Sequence, residues 1–369
     1  MGDQVLSVTQ QQVLDSLSKI KSPGGKALTE AGVLSTVSVS EGKVFFSINV
    51  DAAQAKAWEP IRAEAEAAVR AVPGVKTALV VLTAERAPGA APQPQSSANG
   101  SSPQQRASQV PPATGIPGVD AVIAVASGKG GVGKSTTALN LALALRDLGL
   151  KVGLLDADIY GPSVPRLTGV HEKPEVSSNQ KLLPLQRFGL ALMSIGFLVE
   201  EDAPMIWRGP MVMSAVTQLL RDVDWGQLDI LVVDMPPGTG DAQLTLAQNV
   251  PLRGAVIVST PQDLSLIDAR RGLSMFRKIE VPVLGIIENM SYFQCPHCGG
   301  RSDIFGHGGA RQEAGQLGVP FLGEIPLDMT IRSTSDAGTP VVESEPEGAY
   351  AAIYRAIAAQ VRDQIKAVN

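Results

Sequence analysis

The sequence predicts an α/β protein, a doubly wound and mostly parallel sheet preceded by a small α+β domain. Three observations carry that expectation. From residue 119 onward, short apolar runs alternate with segments of helical spacing. A stretch rich in Pro, Gly, Ala, Ser and Gln, residues 87–118, has Arg106 as its only charged residue and cannot bury a core. Before it, residues 1–86 carry an order of their own: helix, strand, strand, helix, strand. The expected organisation is therefore a small domain at 1–86, a flexible linker at 87–118 and a large domain at 119–369.

In the small domain, Gln10 to Ile20 puts Val13, Leu14, Leu17 and Ile20 on one helical face. Residues 33–39 and 43–50 alternate as strands joined across Glu41-Gly42. Ala53 to Ala71 is an alanine-rich helix stopped by Pro73-Gly74, and 75–82 is a closing strand. No cysteine or histidine precedes residue 171, so this unit reads as an interaction or regulatory module.

In the large domain, 121–126 (AVIAVA), 151–156, 229–234, 254–259, 283–288 and 319–324 read as strands buried on both faces. Helices are expected over 136–148, 212–222, 241–249, 265–278, 309–316 and 348–366. Ligand sites of such a sheet form beyond the carboxyl ends of its strands.

Composition excludes several classes. A net charge of −5 shows no general nucleic-acid footprint. No apolar run approaches the roughly 20 residues that span a bilayer, and the polar start is not a secretory signal. A cytoplasmic protein with no membrane or nucleic-acid partner is expected. The two cysteines, Cys295 and Cys298, form one C-x-x-C, too few for a disulfide framework.

The chemistry concentrates in loops after strands. Gly128-Lys129-Gly130-Gly131-Val132-Gly133-Lys134-Ser135, followed by Thr136, lies between a strand and a helix and matches the phosphate-cradling P-loop. Glycines let backbone N–H groups converge on phosphate oxygens, Lys134 supplies charge for the β and γ phosphates, and Ser135 is placed to ligate Mg²⁺. Asp234 ends an apolar strand, where a carboxylate can hold the same ion, and Gly238 and Gly240 let the next loop move. Asp156 and Asp158, one residue apart, point the same way from an extended chain. One can tune the Mg²⁺ shell while the other orients the attacking water. Cys295-Pro296-His297-Cys298 leaves three readings open: half of an iron–sulfur site, a zinc knuckle completed by His297 or His307, or a redox couple. Trp207-Arg208-Gly209-Pro210, before a helix carrying Met211 and Met213, receives no site role.

Lys129 resembles the signature lysine of deviant Walker A ATPases, which reaches in trans to the phosphates of a partner subunit. The segments GKGGVGKST, DADIYGPSVPRL, DMPPGTGD, IENMSYFQCPHC and PLD-x-x-IR together resemble the Mrp/ApbC family of iron–sulfur cluster carrier ATPases. The first 86 residues resemble the MIP18-type domain often fused to them. What the resemblance implies is a P-loop NTPase fold and a homodimer with weak ATPase activity. Catalysis would use Lys129, Lys134 and Asp158. Residues Gly128 to Thr136, Asp234 and Asn289 would bind nucleotide, with Asn289 at the adenine edge. Paired Cys295 and Cys298 would hold a labile [4Fe–4S] cluster passed to apo iron–sulfur proteins, with cluster-assembly scaffolds as further partners. A zinc-binding protein, or a MinD/ParA-like switch in spatial regulation, is the alternative.

Overall fold

The computed structural model describes residues 8–35, 37–40, 43–51, 55–75, 77–85, 115–199 and 209–368. The Glu41-Gly42 turn, linker residues 87–114 and the Trp207-Arg208 pair lie outside them. The chain divides into two compact units, Met1–Gln109 with Trp207–Ala215, and Val110–Ile206 with Val216–Asn369.

In the first unit, α1 (Gln10–Leu17) starts at a reciprocal cap in which Thr9 Oγ1 accepts from Gln12 N and Gln12 Oε1 from Thr9 N. Strand β1 (Ser38–Ser40) pairs antiparallel with β2 (Lys43–Asp51). Helix α2 (Ala55–Arg70) then crosses to β3 (Thr77–Glu85), which runs parallel to β2. The core gathers Val13, Leu17, Phe46, Ile48, Trp58 and Val69. The first expected strand is shorter than its alternation suggests. Of the described residues 33–35 and 37, Leu34 alone forms a ladder bridge, to Ile48.

The second unit opens with β4 (Val119–Ala126), α3 (Lys134–Asp147), β5 (Val152–Asp156) and a short α4 (Val164–Thr168). Strands β6 (Leu185–Arg187) and β7 (Leu190–Ser194) follow, then α5 (Gly209–Arg221), β8 (Leu228–Asp234), α6 (Asp241–Asn249) and β9 (Leu252–Ser259). Next come α7 (Asp263–Lys278), β10 (Val283–Glu288), a hairpin of β11 (Phe293–Gln294) and β12 (Arg301–Ser302), and α8 (Gly309–Leu317). The chain closes through β13 (Phe321–Glu324), α9 (Met329–Asp336), α10 (Val341–Ser344) and α11 (Ala349–Ala367). Of α5, Gly209–Ala215 is grouped with the first unit and Val216–Arg221 with the second.

The eight-stranded sheet has the order β13-β10-β9-β4-β8-β5-β7-β6. Every neighbouring pair is parallel except β6 with β7, so the expected doubly wound sheet is present with one antiparallel edge. Its central strands are apolar on both faces: Ile123, Leu154, Val232 and Val256 are buried on one, and Ala124, Leu155, Val233 and Ile257 on the other. The strand order reverses at β4, the point where doubly wound sheets bind ligands. Among the described residues, no helix is long and apolar enough to cross a membrane.

Candidate functional site

The loop after β4 lies at that reversal. Ser127 Oγ donates to Lys129 O at 2.9 Å, curling the chain back on itself. Gly128 passes so close to α7 that a Cβ would come within 2.4 Å of the Asp268 backbone. Gly133 has φ +78°, and a Cβ there would meet Asn289 Nδ2 at 2.2 Å, so glycine is required twice over. Gly130 and Gly131 are exposed, Ser135 and Thr136 half-buried, and α3 begins at Lys134.

Lys134 is buried and its Nζ lies 2.5 Å from Asp234 Oδ1 and 3.2 Å from Ser135 Oγ. Asp234 is fully buried, and its second oxygen, Oδ2, has no hydrogen-bond partner among the described residues. An orphaned buried carboxylate oxygen is costly. The other oxygen, Oδ1, shares the Lys134 ammonium with the Ser135 hydroxyl, and this set of hard oxygen donors, with Oδ2 still unpartnered, fits Mg²⁺. The loop after β8 is laced to the same strand, Met235 N donating to Val125 O at 3.0 Å and Gly238 N to Ser127 O at 3.1 Å. Lys129 is half-exposed, and its ammonium has no partner among the described residues.

The Asp156 and Asp158 pair divides more sharply than spacing suggests. Asp156 is buried and accepts from Asp158 N (3.1 Å), Ser163 N (2.9 Å), Val164 N (3.1 Å) and Ser194 Oγ (3.1 Å). Its oxygens are consumed in clasping the Asp158–Ser163 turn and the start of α4 to β5 and β7. Burial, with Asp234 adding repulsion, lifts its carboxyl to about 7. Asp158 is half-buried and accepts from Gly161 N at 3.2 Å, leaving it the freer acid. Its carboxyl is raised by burial, against the pull of Lys134.

Asn289 follows β10 and is buried, but its Nδ2 donates to Val132 O at 2.8 Å. The amide donor foreseen for adenine grips the P-loop backbone instead, and its own N–H is bound to Ser259 O at 2.8 Å.

Beyond it, the cysteines cap the β11–β12 hairpin. Cys295 N donates to Gly300 O at 2.9 Å and Gly299 N to Cys295 O at 2.8 Å. Backbone N–H groups of Cys298 and His297 point at the Cys295 sulfur and hold its thiol below the usual value. Neither cysteine is in a disulfide; Cys298 is exposed and Cys295 half-buried. Among the described residues no group of three or more His, Cys, Asp or Glu side chains could hold a metal. His307 Nδ1 lies 2.9 Å from Arg301 Nη2, and the alternative zinc knuckle, completed by His297 or His307, does not assemble within these residues. The redox-couple reading also loses its basis, because Gly299-Gly300 lead into β12 and not into a helix.

Sequence reasoning passed over Glu288, fully buried at the end of β10. The available signal was the one that picked out Asp234, an acid closing an apolar strand.

The family described as NUBPL iron-transfer P-loop NTPase matches residues 118–362, and a family described as iron–sulfur cluster assembly protein matches residues 10–80. An Arabidopsis thaliana protein named iron–sulfur protein required for NADH dehydrogenase, mitochondrial, is 58% identical over 68% of this chain and 80% of its own. An iron–sulfur cluster carrier protein of Synechocystis is 43% identical over 97% of this chain and 98% of its own. Among solved structures, a nucleotide-binding protein from Archaeoglobus fulgidus in complex with ADP superposes with a TM-score of 0.55. It is 44% identical and covers 62% of this chain and 90% of its own.

Proposed function

The chain belongs to the NUBPL iron-transfer P-loop NTPase family, and on that premise we propose that it is an ATP-hydrolysing carrier that transfers a [4Fe–4S] cluster to apo-proteins. The observation that carries the proposal is the cysteine hairpin. Two thiols, one of them acidified by backbone N–H groups, sit at an exposed tip with no third ligand nearby among the described residues. Two such chains, joined isologously, supply the four thiolates a four-iron cluster takes. A cluster held at a subunit boundary suits cargo meant to leave. Apo iron–sulfur proteins and cluster-assembly scaffolds are the proposed partners, and the reducing cytoplasm the proposed compartment.

The ATP chemistry follows from the P-loop. Backbone N–H groups from Gly128 to Thr136 cradle the phosphates, and Lys134 neutralises the β and γ oxygens. Asp234 and Ser135 hold Mg²⁺, which when bound supplies further charge neutralisation. Asp158 orients the attacking water, held in place by the turn that Asp156 clasps. Lys129 reaches the phosphates bound by the second subunit. Asn289 contacts the base after releasing Val132 O. Phosphoryl transfer needs little beyond positioning and charge, so turnover is slow until the dimer completes the site.

Anaerobic reconstitution with iron and sulfide tests the cargo. Wild type is expected to take up four irons and four sulfides per dimer, with a broad visible absorption that fades in air. Cys295→Ala/Cys298→Ala is expected to take up none. Equal uptake by the double variant, or zinc alone in wild type, overturns the proposal. A spatial switch would leave the thiol pair without use and would reveal itself by co-sedimenting with liposomes or DNA.

A further inference from the structure

Glu288 lies between the nucleotide loop and the cysteine hairpin, and nothing in the reaction just described uses it. Its Oε1 accepts from Ser291 Oγ at 2.6 Å and its Oε2 from Ala310 N at 2.7 Å. Ser291 begins the arm leading out to Cys295. Ala310 sits in the first turn of α8, where the arm returning from Cys298 ends. One carboxylate therefore pins both feet of the excursion that carries the thiols. Backbone bonds tie the outgoing foot further, Ser291 N to Ile325 O at 2.9 Å and Leu327 N to Tyr292 O at 2.7 Å.

The chain neighbour of Glu288 is the residue that grips the P-loop. Asn289 donates to Val132 O, and Met290, next along, sits at φ +53°. That left-handed conformation is unfavourable for a methionine, and the anchored neighbours on either side hold it. Glu288 itself is a buried carboxylate with no cation partner among the described residues. Such a group is dearer than an apolar strand end of the same size, even with the α8 N-terminus to favour it. Its geometry offers what an apolar side chain would not: a rigid tie from one strand end to two chain segments.

We propose that Glu288 is the positioning residue that makes the cysteine hairpin move with the nucleotide loop. A nucleotide that draws Asn289 off Val132 O shifts the end of β10, and the Glu288 clasp carries both arms of the hairpin with it. This deepens the carrier reading and rests on it for the purpose of the motion, but not for its detection.

The test uses the full chain, free of iron and sulfide, and reads the rate at which a chromogenic disulfide modifies Cys295 and Cys298. Wild type is expected to change rate about fivefold or more on adding Mg·ATP or Mg·ADP, the usual floor of a coupling between sites. Glu288→Gln keeps an acceptor for Ala310 N, and the Ser291 hydroxyl can turn to accept, so it retains the shift. Glu288→Leu severs both ties and is expected to lose the shift while still binding nucleotide. Ser291→Ala severs only the outgoing tie and is expected to reduce it. A plain helix cap would lower the melting temperature of Glu288→Leu and leave the rate ratio untouched, which overturns the proposal. Absence of any nucleotide effect in wild type overturns it equally. Should Glu288→Leu fail to fold, a full wild-type shift in Ser291→Ala is decisive against it. Because no iron is present, failure here leaves the cargo assignment standing, and failed cluster reconstitution leaves this coupling measurable.

Discussion

The nucleotide loop and the cysteine hairpin grow from the same end of one sheet and are built in opposite ways. Around the P-loop the charges are interior: Lys134 and Asp234 are buried against each other, and Asn289 closes on the loop from behind. Around the hairpin the chemistry is outside. Strands β11 and β12 have two residues each, Cys298 is exposed, and side-chain support comes from Arg301, stacked 4.1 Å over Tyr292 and bound to Asp303. Buried charges bind each other strongly because water is excluded, and each becomes a liability without its partner. Exposed thiols have no such dependence. The first arrangement suits a ligand that must be gripped and read, the second a ligand that must be handed over.

Removing Lys134 is the harshest way to probe that contrast. Lys134→Ala strips the phosphate charge and strands Asp234 in the interior. Nucleotide binding is expected to disappear in a fluorescent-ATP titration. Urea unfolding of the nucleotide-free protein should show a loss of about 3–5 kcal/mol, the usual cost of breaking a buried pair from one side. A variant as stable as wild type would mean that the pair is not buried in solution.

A gentler probe is pH. The folded value of Asp156, about 7, lies above its ordinary 3.8. Between those values the unfolded chain has released a proton that the folded chain keeps, so stability falls as pH rises through this window and levels off above it. The expected drop between pH 5 and 8 is roughly 2–4 kcal/mol for this one group. Asp234→Asn removes the repulsion and leaves Lys134 to pull the Asp156 value down, so its slope over that window should be flatter. Equal slopes in calorimetry would show that Asp156 does not titrate there.

The smallest effect belongs to the hairpin. Cys295→Ala/Cys298→Ala should leave unfolding stability within about 0.5 kcal/mol of wild type, as surface substitutions do. A loss of several kcal/mol would place the thiols in a structural role and erase the contrast between the two regions.

Most of the large unit was legible because its strands are apolar runs and its P-loop glycines mark a turn that few other sequences make. Strands 254–259 and 283–288 were placed within two residues of β9 and β10. What escaped was short or depended on distant neighbours. Leu190–Ser194 is only five residues long, and Phe188-Gly189 before it, at φ +52° and +69°, disguises a tight antiparallel turn as a loop. Helix α9 has few apolar residues and is announced mainly by its cap, Asp328 accepting from Thr330 N at 2.7 Å. In the site, spacing identified Asp156 and Asp158 but not their division of labour. That division is set by Ser163, Val164 and Ser194, which converge on one carboxylate only after folding. The hold of Asn289 on Val132 is likewise a contact across 157 positions, invisible to any local pattern.

The strand order has one more consequence, for how copies of this chain can meet. The sheet ends in β13 on one side and β6 on the other, of four and three residues. Edges so short give a neighbouring chain little ladder to extend, and the reversed direction of β6 breaks the parallel register there. Side-by-side growth of the sheet from copy to copy, the route to open-ended aggregates, is thereby discouraged. The dimer proposed above would instead meet through the loop-bearing face, where an isologous contact closes after two copies and then stops.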